Sequence, residues 1–248
     1  MSRVLIFGAT SAIAAEVAVL HARRGHRLHL VGRDPVKLAA VCARCADAGA
    51  TVTSAVADLD DLGASAQIVA SALAALGGVD NVLVAQGLLG DQLATERSFA
   101  DAEQVLRTNF VGVVALLVPL VNHLEAQGSG RLGVITSVAG DRGRPRNYTY
   151  GAAKGGLTLY LQGVRTRVYS AGVRVTTLKL GPVDTPMTRD HTKHPLFGKP
   201  AAVAASIVAA MDAGVAEAYI PSFWRVIMPV VRGMPERFIQ RLAFLSGR

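Results

Sequence analysis

Apolar runs of strand length alternate with helical patterns along almost all of this chain, and that alternation limits what it can fold into. Strand-like runs fall at residues 3–7, 27–32, 51–56, 80–85, 131–137 and 173–180, with a short seventh at 218–221. Helical periodicity fills 12–24, 35–48, 62–76, 97–126, 148–171 and 199–213 between them. Strands separated by helices form a parallel sheet with right-handed crossovers and helices on both faces. The runs are apolar nearly throughout, as burial of both faces requires. With no internal repeat and no linker, residues 1–248 predict one α/β domain, a doubly wound, seven-stranded parallel sheet. Ligands of such sheets bind at the carboxyl ends of the strands, near the switch in strand order. The residues just after each strand are therefore the candidates for function.

Composition narrows the class. The chain is 51% apolar and only 18% charged, which suits a compact enzyme and excludes a disordered one. Its net charge of +8 comes without a nucleic-acid motif, and the basic residues are spread along the chain, so no nucleic-acid partner is expected. Met1-Ser2-Arg3 leads straight into "VLIF" without the longer apolar segment of a signal peptide. The run "FVGVVALLVPLV" at 110–121 is shorter than the ~18 residues of a spanning helix and reads as a core helix. A cytoplasmic protein is the expectation. Cys42 and Cys45 in "CARC" sit inside a helical pattern with no further thiol, and read as reduced helix cysteines. His191 and His194 in "HTKH" lack a neighbouring carboxylate or thiol, so no metal site is expected there.

The first strand runs into "FGATSAIAAEVA", a tight turn opening a helix. Backbone N–H groups at that helix start would face a pyrophosphate, aided by the helix dipole. Gly8 makes the turn, while Ala12 and Ala14 stand where a glycine fingerprint would carry two further glycines. Alanine is compatible with helical dihedrals, so the expectation is that Ala12 and Ala14 lie in the first helical turn and Gly8 alone supplies the bend. The second strand ends on Gly32, where an NAD-type site would carry an acid for the ribose hydroxyls, and Arg33 follows. Arg33, with Ser11 and Lys37 nearby, suits a 2′-phosphate, which favours NADP(H) over NAD(H). After the third strand, Asp58 is placed either to bind an adenine amino group or to cap the next helix.

The segment "GVITSVAGDRGRPRNYTYGAAKGGL" carries the strongest chemical signal. Ser137 ends a strand at the predicted ligand edge. Tyr150 and Lys154 are four apart at the start of a long helix, so they share a face. A phenol titrating near 10 is a weak acid–base group at neutral pH. An adjacent ammonium favours the phenolate and brings it toward the working range. Ser137 would hold a substrate oxygen while Tyr150 exchanges its proton and a nicotinamide supplies hydride. Tyr148 is the competing tyrosine, but its +4 residue is Ala152. It reads as a pocket-lining residue.

On these residues the chain resembles the short-chain dehydrogenase/reductase family along nearly all its length, which implies a Rossmann-type fold and oxidoreductase chemistry. Ser137, Tyr150 and Lys154 match the family triad in type and spacing, and Asn109 in "LRTNFVG" matches its fourth catalytic residue. The resemblance implies that Asn109 supports a helix distortion and a water in the proton relay, and that Lys154 also binds the nicotinamide ribose. It implies cofactor contacts at Gly8, Thr10, Ser11, Ala12, Ile13, Arg33, Asp58, Leu59, Gly87, Tyr150, Lys154, Val183 and Thr185. Val183 and Thr185, in "GPVDTPM", would meet the nicotinamide carboxamide and a phosphate. A homodimer or homotetramer is also implied. Three departures touch the cofactor bed: the GxxxAxA loop, "VAQG" at 84–87 in place of Asn-Asn-Ala-Gly, and Leu180 in place of a proline.

Residues 184–200 fall where the family places a variable substrate loop, and "DHTKHPLFGK" mixes cations with apolar residues. That mixture suits a phosphorylated or lipid-linked substrate and equally suits a solvated loop. The tail from 218 to 248 holds Trp224 and two short apolar helical stretches interrupted by Arg225, Arg232, Arg237, Arg241 and Arg248. Such a face either lies in a membrane interface or packs against a partner subunit. "GATSAIA", "SVAGDRGR", "NYTYGAAK" and the "FWRVIM…PERF" tail resemble the decaprenylphosphoryl-2-keto-erythro-pentose reductase subgroup. That resemblance implies a ketone carried as a keto sugar on a polyprenyl phosphate. The alternatives are a cytosolic reductase of a small or acyl ketone, and a non-catalytic NADP-binding scaffold.

Overall fold

A computed structural model describes residues 1–189 and 195–241. Seven parallel strands form one sheet: β1 Arg3–Phe7, β2 Arg27–Gly32, β3 Val52–Val56, β4 Asn81–Val84, β5 Gly130–Ser137, β6 Val173–Leu180 and β7 Glu217–Ile220. Their order is β3-β2-β1-β4-β5-β6-β7. The doubly wound sheet that the sequence predicts is therefore present, and the order switches between β1 and β4.

Alternation along each strand sends side chains to two cores. On β1, Val4 and Ile6 join one cluster while Leu5 and Phe7 join the other. The first core lies under α1 (Ala12–Arg23), α2 (Pro35–Asp47) and α8 (Pro200–Ala213). The second lies under α3 (Ser65–Leu76), α6 (Gly112–Gln127) and α7 (Tyr148–Val168). Short helices α4 (Gln92–Thr95) and α5 (Phe99–Leu106) precede α6, and α9 (Trp224–Gly233) and α10 (Glu236–Ile239) follow β7. Cys42 and Cys45 are free thiols on α2, as expected.

The helical pattern expected over 97–126 resolves into α5, a π turn at Arg107–Val111 and α6. A π turn adds one residue to the helical register, which periodicity does not register. The run Phe99–Gln127 is thus longer than the segment 110–121, and by length and composition alone it could cross a membrane. Half of its most apolar window is buried, with Leu116, Leu117, Leu120 and Leu124 in the second core. The core-helix expectation holds for that face.

The turn at the switch point has a simple cause. Gly8 adopts φ +74, and a Cβ there would lie 2.7 Å from the Gln86 amide nitrogen just beyond β4. Both the conformation and the close approach require glycine. Ala12 opens α1, Ala14 is fully buried in the first core, and among the described residues none other than glycine has positive φ. Gly8 alone bends this loop, as predicted.

Candidate functional site

The Ser137 hydroxyl ends β5 at the ligand edge of the sheet, where it donates to the Leu180 carbonyl at 3.3 Å and accepts from the Ala139 amide at 3.1 Å. The tight turn Val138–Gly140 that follows is pressed against α7. Small residues permit this: a Cβ on Gly151 would sit 2.8 Å from the Ala139 carbonyl, and one on Gly155 2.8 Å from the Gly140 carbonyl. The first turns of α7 thereby bring Tyr150 and Lys154 to Ser137. Lys154 is fully buried, donates to the Ile135 carbonyl at 3.2 Å, and lies 5.8 Å from the centre of the Tyr150 ring.

Asn109 lies inside the π turn and is fully buried. Its amide donates to the Leu88 carbonyl at 2.6 Å and the Val105 carbonyl at 2.8 Å, and its oxygen accepts from the Leu88 amide at 3.2 Å. It therefore braces the loop after β4. A Cβ on Gly87 in that loop would lie 3.1 Å from Asn109 Oδ1 and 3.5 Å from Lys154 Nζ. Asn109 and Lys154 thus meet at one bare stretch of backbone.

Burial pushes the Tyr150 phenol up to about 12, and its hydrogen-bonding contact with Ser137 pulls only partly the other way. Burial also brings Lys154 down to about 8. The sequence expectation that Lys154 would draw the phenol toward neutrality is not met in this arrangement: the ammonium is itself desolvated, and it donates to Ile135. Tyr150 consequently holds its proton at neutral pH, which equips it as an acid.

The expected nucleotide contacts have mixed fates. Thr10 stands directly against Gly32, where a Cβ would meet the threonine methyl at 2.9 Å, so a side chain at the end of β2 would force that methyl aside. Arg33 is exposed beside it. Ser11, expected near a 2′-phosphate, caps α1, its hydroxyl accepting from Ala14 N–H at 3.1 Å. Lys37 is paired with Asp34 at 3.4 Å, because Pro35 starts α2 and Asp34 caps it. Asp58 is exposed and accepts from the Asp60 amide at 3.1 Å; it does not cap α3, whose N-cap is Ala64. Ile13 is partly buried in the first turn of α1, and Leu59 is buried beside Asp58. Val183 is buried and bridges to Gly198, and Thr185 opens a short turn in which its amide donates to Thr188 Oγ1 at 3.2 Å. His191 and His194 lie outside the described residues, and no metal-type cluster occurs among those described.

Two features escaped the sequence reading. Gln86, in the departing "VAQG", donates to the Thr108 carbonyl at 3.4 Å, tying the switch-point loop to the π turn. The second is a buried charge network. Lys179 Nζ pairs with Asp141 at 3.0 Å and Glu217 at 2.9 Å, while the Tyr219 hydroxyl donates to Asp141 at 2.6 Å. Asp141 closes the turn that follows Ser137.

Residues 2–196 match the family model for short chain dehydrogenases. The chain belongs to the short-chain dehydrogenase family. An uncharacterized oxidoreductase of Mycobacterium tuberculosis is 36% identical over 239 residues, covering 96% of this chain and 95% of that protein. Levodione reductase shares the fold at TM-score 0.81 and 26% identity, over 88% of this chain and 95% of that one. A variant of actinorhodin polyketide ketoreductase, crystallised with NADPH, aligns at TM-score 0.80 and 21% identity, over 90% and 96% of the two chains. This short-chain dehydrogenase is an oxidoreductase of the nicotinamide-dependent kind. Its bare Gly8 turn at the switch point, the open start of α1 and the uncovered backbone at Gly87 fit such a cofactor.

Proposed function

We propose that this short-chain dehydrogenase is an NADPH-dependent ketoreductase, acting on a ketone carried as a keto sugar on a polyprenyl phosphate. The observation that carries the reading is the meeting of the Ser137 hydroxyl and a Tyr150 phenol that keeps its proton, backed by buried Lys154 and Asn109. Bound NADPH supplies the hydride that reaches the carbonyl carbon. Ser137 holds the carbonyl oxygen, and Tyr150 gives that oxygen its proton. The Tyr150 phenolate left behind is stabilised by the Lys154 ammonium, and Asn109 holds the loop against which Lys154 packs. Gly8, Thr10, Ser11, Ala12, Ile13, Leu59 and Gly87 form the cofactor bed through backbone and small side chains, with Asp58, Val183 and Thr185 at its edges.

Preference for NADPH is supported by Gly32, packed against Thr10 and without a side chain where a ribose-binding acid would stand, and by exposed Arg33 beside it. Arg33→Gln should lower kcat/KM with NADPH by roughly tenfold, the loss of one charge-assisted bond, and leave the NADH value nearly unchanged. Equal losses with both cofactors would remove Arg33 from the 2′-phosphate site.

The tail supports a peripheral membrane role. Trp224 and Met228 pack on Val138, so α9 walls the turn after Ser137, while Val226, Val230 and Phe238 remain exposed among Arg225, Arg232 and Arg237. Following NADPH oxidation with a polyprenyl-phospho-keto-pentose beside a panel of soluble ketones tests the reading. Turnover confined to the soluble panel would overturn the substrate assignment, and none at all the ketoreductase.

A further inference from the structure

We propose that Arg144, with Arg146 beside it, forms a binding site for a phosphate group carried by the substrate. The inference rests on the ketoreductase reading and adds to it the group that a charged ketone would present. Both arginines lie on the loop that joins Ser137 to Tyr150, between the two residues assigned to the carbonyl oxygen.

The loop is anchored on each side of Arg144. Asp141 is locked to Lys179 and Tyr219. Arg142 is paired with Glu236 and donates to the Arg232 carbonyl at 3.2 Å, fastening the loop to the tail. The Asn147 amide donates to the Arg144 carbonyl at 3.1 Å, closing the turn that leads into α7. These bonds pair Asp141 with Lys179 and Glu236 with Arg142. Among the described residues, neither Arg144 nor Arg146 has a carboxylate partner. Arg144 is only partly exposed, and Arg146, two residues on, carries a second positive charge. Burial, and then Arg146, hold its guanidinium below the ordinary value.

A half-buried guanidinium beside a second one is unfavourable unless an anion joins them. Two planar forks on a braced loop suit an oxyanion bearing several acceptor oxygens, and phosphate meets that description better than a single carboxylate. The other cations of this wall, Arg142 and Lys179, are already neutralised.

The test uses the full chain and inorganic phosphate as the probe. NADP+ affinity is measured first, through Trp224 fluorescence, and reports on the reductase reading by itself. Phosphate is then titrated calorimetrically into the NADP+-saturated wild type, Arg144→Gln and Arg144→Lys; if NADP+ fails to bind, the same titrations run without it. The expected result is phosphate binding that weakens by about tenfold or more in Arg144→Gln and is partly restored by Arg144→Lys. Unchanged NADP+ affinity in Arg144→Gln would show that the loss is local. No phosphate binding by the wild type, or equal binding by wild type and Arg144→Gln, would overturn the site.

Discussion

Tyr150→Phe is expected to lower kcat/KM for ketone reduction by about 10²–10⁴-fold, the range attributed to a positioned proton donor. NADP+ affinity should stay unchanged, since the ring and its packing remain. The same change at Tyr148, which is 45% exposed and has Ala152 at its +4 position, should leave turnover near the wild-type value. A pH profile separates the acid from its support. Tyr150 is held up to about 12, so the donor itself remains protonated throughout the neutral range. Lys154 is brought down to about 8, and its positive charge is lost as pH rises through that value. The phenolate formed in each turnover then lacks its counter-charge, and reduction should fall on the alkaline side of about pH 8. A profile flat to pH 10, or a Tyr150→Phe variant that keeps its turnover, would sink the acid assignment.

How much of this site could be read from the sequence depended on how locally each interaction is made. Ser137, Tyr150 and Lys154 were legible because one strand end and one helical repeat place them, and both signals lie within 18 residues of chain. The strands were legible for the same reason, since burial on both faces leaves unbroken apolar runs. Gly8 could be singled out as the turn, but its collision with Gln86 depends on the pairing of β1 with β4. The Thr10–Gly32 contact likewise joins two loops that only the fold brings together. Ser11 and Lys37, expected near a phosphate, also take part in nearby helix starts, because capping draws on the same residue types. Lys179 was hidden most completely. In "VRVTTLKL" it reads as a polar interruption of a buried strand, and its partner Asp141 is bridged by Tyr219, 78 positions away from that acid.

That hidden network carries the largest stability effect. Lys179 and Asp141 are nearly inaccessible, with side chains 3% and 4% exposed, and Glu217 is 28% exposed. Lys179→Met removes the cation that pairs with both acids and leaves Asp141 buried without its ion-pair partner. Removing one partner of a buried ion pair costs about 3–5 kcal/mol, and urea unfolding should show a loss of that size. The pH dependence follows from the shifts. Burial alone would lower Lys179, but its bonds to Glu217 and Asp141 outweigh it and raise the group above 10.5. Its contribution is therefore complete below the unfolded value and is lost as pH rises through the higher folded one. Burial alone would raise Glu217, but Lys179 holds it below 4.5, so its contribution is present above 4.5 and lost as pH falls through the lower folded value. The gap between wild type and Lys179→Met should be widest from about pH 5 to about pH 10 and should narrow in acid as Glu217 takes up its proton. Replacing all three charges together, Lys179→Met with Asp141→Asn and Glu217→Gln, should recover part of the stability, because no buried charge is left unpaired. Turnover should not recover with it, since Asp141 closes the turn after Ser137 and its bond from Tyr219 is weakened in the triple variant. A triple variant that regained both stability and full kcat would reduce the network to packing and detach it from the placement of Ser137.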